Sequence, residues 1–288
     1  MQVPKIVERF LVFFIGVPVV LSTVLLLPYQ HHLAANCVAI ILSALGGNEF
    51  AALLKRKTGF SLSTPEPMLL GATCPLAMTL NVSFGVDYRI VPIFIAIGAA
   101  WLLISRTFAP EDKLKDALGS ISVGLTTLLY PGFFIAWLIG MASWPHADMV
   151  ILIFLLIPIS NDSAAWAAGI LFGKNNRGII KVSPNKSVAG FIGGLMFSMI
   201  MGMIAVFCIP AAFTAKTLPA PLAGLILGLT VGLAGCLGDL AESAMKRSAG
   251  AKDSGSLIPG RGGVLDSIDS ICFAAPVYYV LYWLIFRG

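Results

Sequence analysis

Residues 188–213 read VAGFIGGLMFSMIMGMIAVFCIPAAF, a run without a single Asp, Glu, Lys, Arg or His. About 20 apolar residues in a helix span the hydrocarbon core of a bilayer. The rest of the chain repeats the theme. Its 288 residues are 58% hydrophobic and 11% charged, with a mean hydropathy of +0.91. A soluble domain carries about 25% charged residues. A soluble chain of this length could not hide so much apolar surface, and no polar stretch is long enough to fold alone. The sequence predicts an all-α, polytopic integral membrane protein without a separate soluble domain.

Nine runs qualify as spans: Phe10–Leu27, Leu33–Gly47, Met68–Val82, Ile90–Ile104, Leu118–Ala142, Met149–Phe172, Val188–Phe213, Ala220–Gly238 and Val264–Phe286. The second to fourth are short, which leaves room for a re-entrant segment. The first lacks a small-x-small cleavage site and reads as a retained span. With the N-terminus inside, nine crossings put every basic residue except Arg89, Lys216 and Arg287 on the inner side, as the positive-inside rule requires. The net charge of +5 therefore reflects topology, not nucleic-acid binding. The expected location is the inner (plasma) membrane, multi-pass, with the charged loops facing the cytoplasm. Residues 1–145 would form an N-terminal set of five spans, and residues 146–288 a chemistry-bearing set of four. Tyr29, Tyr88 and Trp144 fall near outer ends, where amphipathic rings are favoured. Glycines inside the spans read as sites of close helix packing. Cys37, Cys74, Cys208, Cys236 and Cys272 have no metal-ligand spacing and read as small buried hydrophobes. Lys55-Arg56-Lys57 and the charge run at 111–116 read as solvated or headgroup-facing surface. His31, His32 and His146 fall in outer loops.

Charge is concentrated between Ser243 and Asp269, which holds Lys246, Arg247, Lys252, Asp253, Arg261, Asp266 and Asp269. Charge beside a bilayer is costly, so a mixed-sign cluster joined to apolar spans is by default a functional site. Asp266 and Asp269 open the ninth span one helical turn apart. Asp239 and Glu242 end the eighth at the same spacing, and Lys246 four residues on makes an ordinary ion pair the simpler account of Glu242. Asp162 lies inside the sixth span. Oxygen-only ligands suit Mg²⁺ better than Zn²⁺, and Mg²⁺ needs only one or two carboxylates beside substrate phosphates. The Pro259-Gly260-Arg261-Gly262-Gly263 turn leads into a helix N-terminus, a geometry that offers N–H groups to an anion. A second loop carries Gly173-Lys174, Arg177, Lys181 and Ser183-Pro184-Asn185-Lys186-Ser187, with Ser187 placed to cap the next helix. No histidine is available as a cytoplasmic base, so the nucleophile must already be anionic, as a phosphate monoester is.

The run Ser243-x-Met245-Lys246-Arg247-x4-Lys252-Asp253-x-Gly255-x2-Ile258-Pro259-x-Arg261-Gly262-Gly263-Val264-x-Asp266-Ser267-Ile268-Asp269 resembles the phosphatidate cytidylyltransferase (CDP-diacylglycerol synthase) family. Asn161-Asp162, Gly173-Lys174, Ser183 to Ser187 and Gly238-Asp239-Leu240 resemble it too. The likeness is expected over roughly residues 155–272. Arg261 stands where the family usually has His, Ser267 where it has Arg, and Asn185 where it has Lys. The resemblance implies that CTP and phosphatidate give CDP-diacylglycerol and diphosphate. It implies Mg²⁺, alone or with a monovalent cation, on Asp239, Asp266 and Asp269, with Lys252 and Asp253 completing the catalytic set. Asp162, Lys174, Ser183, Lys186, Ser243, Lys246, Arg247, Arg261, Gly262 and Gly263 would bind the substrates and their phosphates. The expected partners are CTP, phosphatidate and the bilayer, with no nucleic acid; a homodimer is compatible with this reading. Two alternatives stay open: a CTP-dependent polyprenol- or phytol-type lipid kinase, and a secondary transporter using intramembrane carboxylates. CDP-alcohol phosphotransferases are excluded, because they need an Asp-x3-Asp pair and an upstream Asp-Gly motif, which are missing here.

Overall fold

The computed structural model describes residues 12–60, 62–108 and 110–287. Lys5 and Arg9, two of the basic residues counted in the orientation argument, and the start of the first span at Phe10 lie outside the described residues. The helices are α1 Val17–Leu25, preceded by a π turn at Val12–Gly16, α2 Tyr29–Thr58, α3 Glu66–Phe84, α4 Ile90–Thr107, α5 Ala117–Met141, α6 Ala147–Phe172, α7 Val188–Cys208, α8 Ala220–Ser248 and α9 Leu265–Arg287. Among the described residues there is no strand, only isolated bridges between Arg177 and Ser187 and between Ile258 and Gly262. The eight helices α2 to α9 are long and apolar enough to cross a membrane; α1 belongs to a shorter apolar helix, Phe14–Leu25. The chain is an all-α, multi-pass membrane protein.

Two compact units divide it: the chain up to Ser143 with Met245–Ile268, and Trp144–Ala244 with Asp269–Gly288. In the first, α2 outruns the expected Leu33–Gly47 and ends at Gly59, whose N–H bonds Lys55 O. Its glycines are packed against α3. A Cβ on Gly47 would come 2.7 Å from Pro67 O, and one on Gly71 would come 2.5 Å from Ser43 O. The buried Ser43 hydroxyl faces Gly71 O at 2.7 Å and Pro131 O at 2.6 Å. Tertiary packing of this kind overrides the low helix propensity of a Gly-Gly pair.

The same unit holds a buried ion pair. Arg106 donates to both oxygens of Glu66 (2.9 and 2.8 Å), and Trp101 Nε1 donates to Oε1 (3.1 Å). The two side chains are 17% and 8% exposed, so removing one leaves the other charged in a poorly solvated place. Such losses cost about 3–5 kcal/mol. Glu66→Ala is expected to cut thermal stability in detergent by that order, measured by loss of the monodisperse chromatographic peak after heating. An unchanged melting point would show that the pair is dispensable.

In the second unit, α7 and α8 approach so closely that a Cβ on Gly202 would lie 2.1 Å from Gly224 O and one on Gly228 would lie 2.1 Å from Ser198 O. This is small-residue packing of membrane helices, as expected. Tyr278 and Tyr282 are buried, their hydroxyls donating to Val150 O (2.9 Å) and Ala212 O (2.6 Å). Trp144 differs from its expected interfacial role. It is buried and stacked on Tyr282, with ring centroids 4.7 Å apart, and the Arg287 guanidinium lies 5.6 Å from its ring. Its neighbours in α9 were invisible in local sequence. Tyr29 and Tyr88 are exposed, as an interfacial role needs. Cys74 and Cys272 are buried as expected, whereas Cys37 and Cys208 lie on exposed helix faces, where an apolar thiol is at home against lipid.

Candidate functional site

The second unit folds the α6–α7 loop back on itself. Gly178 N–H bonds Pro184 O (3.0 Å) and Val188 N–H bonds Asn176 O (3.1 Å). Arg177 donates to Gly169 O at 3.0 Å. Ser187 is the N-cap of α7 and accepts from Gly190 N–H at 3.0 Å, as its type and position predicted. The fold-back delivers Lys186 to a cavity of about 510 Å³, whose lining includes Asp162, Trp166, Arg177, Asn185, Cys236 and Asp239. Inside it, Lys186 Nζ donates to Asp239 Oδ2, while Ser243 Oγ donates to Oδ1 at 3.2 Å. The lysine and aspartate side chains are 33% and 28% exposed, open enough to meet a ligand. Exposed Trp166 and Ile170 give the cavity an apolar rim. Asn161 braces one wall, donating to Ser198 Oγ at 2.8 Å and accepting from Cys236 Sγ at 3.2 Å. Asp269, also in this unit, is buried at 7% exposure and accepts from Ser270 N–H at 2.6 Å.

The first unit builds a second acidic centre around Asp266, in the first turn of α9. Lys246, on the last turns of α8, donates to its Oδ1 at 2.5 Å. Oδ2 accepts from Ser254 N–H (2.9 Å), Ser254 Oγ (2.9 Å) and Gly263 N–H (2.7 Å). The lysine and aspartate side chains are 11% and 7% exposed, so this pair is structural as well as charged. The glycine turn was expected to offer its N–H groups to a phosphate. Instead Gly263 N–H goes to Asp266, and Gly262 N–H to Ile258 O at 3.0 Å. The nearest anion to a helix start is often an acid of its own first turn, and here it claims the donor. Gly262 sits at φ +112°, where a Cβ would strike Asp266 Oδ2 at 2.6 Å; glycine is needed there on both counts.

A model of the Cytidylyltransferase family matches residues 7–285. The chain belongs to that family. It is 32% identical to the phosphatidate cytidylyltransferase of Bacillus subtilis over 245 residues, 84% of this chain and 87% of that one. It is 37% identical to the protein of that name from Staphylococcus haemolyticus over 215 residues, 75% and 78% of the two chains. It is 30% identical to the Synechocystis sp. protein of that name over 233 residues, 72% and 76%. The likeness therefore extends well beyond the expected residues 155–272. The N-terminal spans belong to the enzyme family too, and the chain is a nucleotidyltransferase.

The remaining expected site residues of this enzyme are scattered. Arg247 is exposed and donates to Ala251 O at 3.3 Å, closing the end of α8. Lys174, Lys252, Asp253 and Arg261 are exposed, on loops that begin or end at the site helices, and Ser183 turns the α6–α7 loop by accepting Lys186 N–H at its carbonyl (3.0 Å). Ser267, one of the departures from the family pattern, donates to Gly263 O at 3.4 Å. Asn185, another, faces the cavity.

Sequence reasoning missed Glu49. In the first unit its Oε2 accepts from Leu265 N–H (2.9 Å) and Ser254 Oγ (3.2 Å). The signal was available: an acid within the apolar reach of α2, the same cue that singled out Asp162. It was overlooked because the span was ended two residues earlier.

Proposed function

We propose that the protein transfers the cytidylyl group of CTP to phosphatidate, giving CDP-diacylglycerol and diphosphate, at the cytoplasmic face of the inner membrane. A phosphatidate phosphate oxygen attacks the α-phosphorus of CTP. The bond from the α-phosphorus to the bridging oxygen of the β-phosphate breaks, and diphosphate departs with that electron pair. The observation that carries the reading is the Lys186–Asp239 pair in a cavity rimmed by Trp166 and Ile170. Anion-binding and cation-binding groups sit beside apolar surface, which is what a charged headgroup on acyl chains requires.

The donor chemistry fits Mg²⁺. Within neither unit do three His, Cys, Asp or Glu side chains among the described residues gather into a closed cage, and Mg²⁺ does not need one because it keeps waters and bridges phosphates. Asp239 and Asp266 each already hold an ammonium, from Lys186 and Lys246, so both carboxylates sit where positive charge is favoured. When bound, the metal would neutralise charge on the transferring and leaving phosphates. Lys186, released from Asp239, would then turn to a substrate phosphate. The chain's own contribution is positioning and charge, with no proton to remove from an ionised phosphate.

The test is purified protein in detergent with CTP, Mg²⁺ and phosphatidate. Diphosphate and CDP-diacylglycerol are expected in equal amounts. Release of CDP with a phosphorylated lipid would instead indicate a lipid kinase, and no lipid-dependent CTP turnover at all would refute the reading.

A further inference from the structure

Glu49 lies on α2, more than two hundred residues before the segment it touches. It reaches that segment at two points. Its Oε2 accepts the N–H of Leu265, the first residue of α9, and the hydroxyl of Ser254. The same Ser254 Oγ lies 2.9 Å from Asp266 Oδ2, and Asp266 N–H donates back to it at 3.3 Å. The single Ser254 hydroxyl proton is therefore shared between two carboxylates, with the shorter contact to Asp266 Oδ2. The backbone is cut away to admit Glu49: a Cβ on Gly263 would lie 2.2 Å from its Oε2, and one on Gly255 would lie 2.4 Å from its Oε1. Two glycines of the charged segment thus make room for a side chain from a distant helix.

We infer that Glu49 is a positioning residue. It pins both ends of the stretch from Ser254 to Leu265, and through Ser254 it fixes the orientation in which Asp266 presents Oδ1. The role needs an acceptor oxygen at one point and does not need a charge, because both hydrogen bonds converge on the same Oε2. Glutamine can place its carbonyl oxygen there, and alanine cannot. The link from Asp266 to catalysis rests on the proposed function; the link from Glu49 to the segment does not.

The experiment compares wild type, Glu49→Ala and Glu49→Gln in detergent by two readouts. The first is amide hydrogen exchange of peptides covering residues 254–266. A hydrogen bond to a charged group is lost at Leu265, so exchange there is expected to rise about 10- to 100-fold in Glu49→Ala and to stay near wild type in Glu49→Gln. The second is diphosphate release with CTP and phosphatidate. Glu49→Ala is expected to lose about 100-fold in kcat with KM for CTP within about threefold, because misplacing a reacting group costs rate rather than binding. Glu49→Gln is expected to keep at least about a tenth of wild-type kcat. Glu49→Gln is nearly isosteric, so it decides the matter even where Glu49→Ala does not yield folded protein. A glutamine variant as impaired as alanine would overturn the positioning role in favour of a charge-dependent one. Wild-type exchange in Glu49→Ala would overturn it too. Faster exchange in Glu49→Ala, with a wild type that turns over no CTP, would uphold the positioning of the segment while removing the proposed reaction.

Discussion

Asp266→Asn is expected to leave the protein inserted and monodisperse but to cut diphosphate release by about 10³-fold. Isosteric replacement cannot satisfy this site. The two oxygens of Asp266 meet only donors: the Lys246 ammonium at Oδ1, and Ser254 N–H, Ser254 O–H and Gly263 N–H at Oδ2. An asparagine must point its NH2 group at one set or the other. Facing Lys246, it sets two donors against each other and removes the negative charge that the lysine was built to meet. Facing Ser254 and Gly263, it breaks the bonds that hold the start of α9. A preorganised electrostatic group at a reacting phosphate is worth on the order of 10²–10³ in rate, and Asp266 loses charge and geometry together. Turnover should be normalised to the chromatographic peak of folded protein, since a buried pair is broken as well. Turnover within a few-fold of wild type would remove Asp266 from the reaction.

The spans were legible in the sequence where hydropathy alone decides them. α6 was expected at Met149–Phe172 and runs Ala147–Phe172; α7 was expected from Val188 and starts there, capped by Ser187. Hydropathy failed at the ends of α2 and α8. The apolar runs end at Gly47 and Gly238, yet the helices continue through Asn48-Glu49 to Thr58 and through Asp239 to Ser248. The close-packing role of the glycines was legible, but the charges have partners brought in from elsewhere, which a local window cannot register. The same limit applied to chemistry. Asp239, Lys186 and Asp266 were legible as residue types in a dense motif. Their pairing was not: Lys186 meets Asp239 across 53 positions, and Glu49 meets Leu265 across 216. The Gly263 N–H bond to Asp266 was illegible for a related reason, because a motif cannot say whether a donor is kept for a ligand or spent on its own helix.

Lys186 offers the sharpest test of the cavity. Lys186→Met keeps the length and the apolar stem and deletes the ammonium. The site is partly open, with the lysine 33% and Asp239 28% exposed, so Asp239 left behind remains in contact with water and the fold should survive; pairs this exposed contribute about 0–1 kcal/mol to stability. Function is another matter. Arg177 is committed to Gly169 O, and position 185, beside Lys186 on the cavity wall, is an asparagine in this chain. Deleting Lys186 therefore strips the cavity of its ammonium, the mobile positive charge that could pass from Asp239 to an incoming phosphate. kcat/KM is expected to fall by about 10²- to 10³-fold, with the melting point within a few degrees of wild type. Lys186→Arg should restore activity only in part, since a planar guanidinium cannot reproduce a compact, rotatable ammonium. A structural lysine would give the opposite pattern, a lowered melting point with turnover preserved, and that result would end the case for phosphate binding at this wall of the cavity.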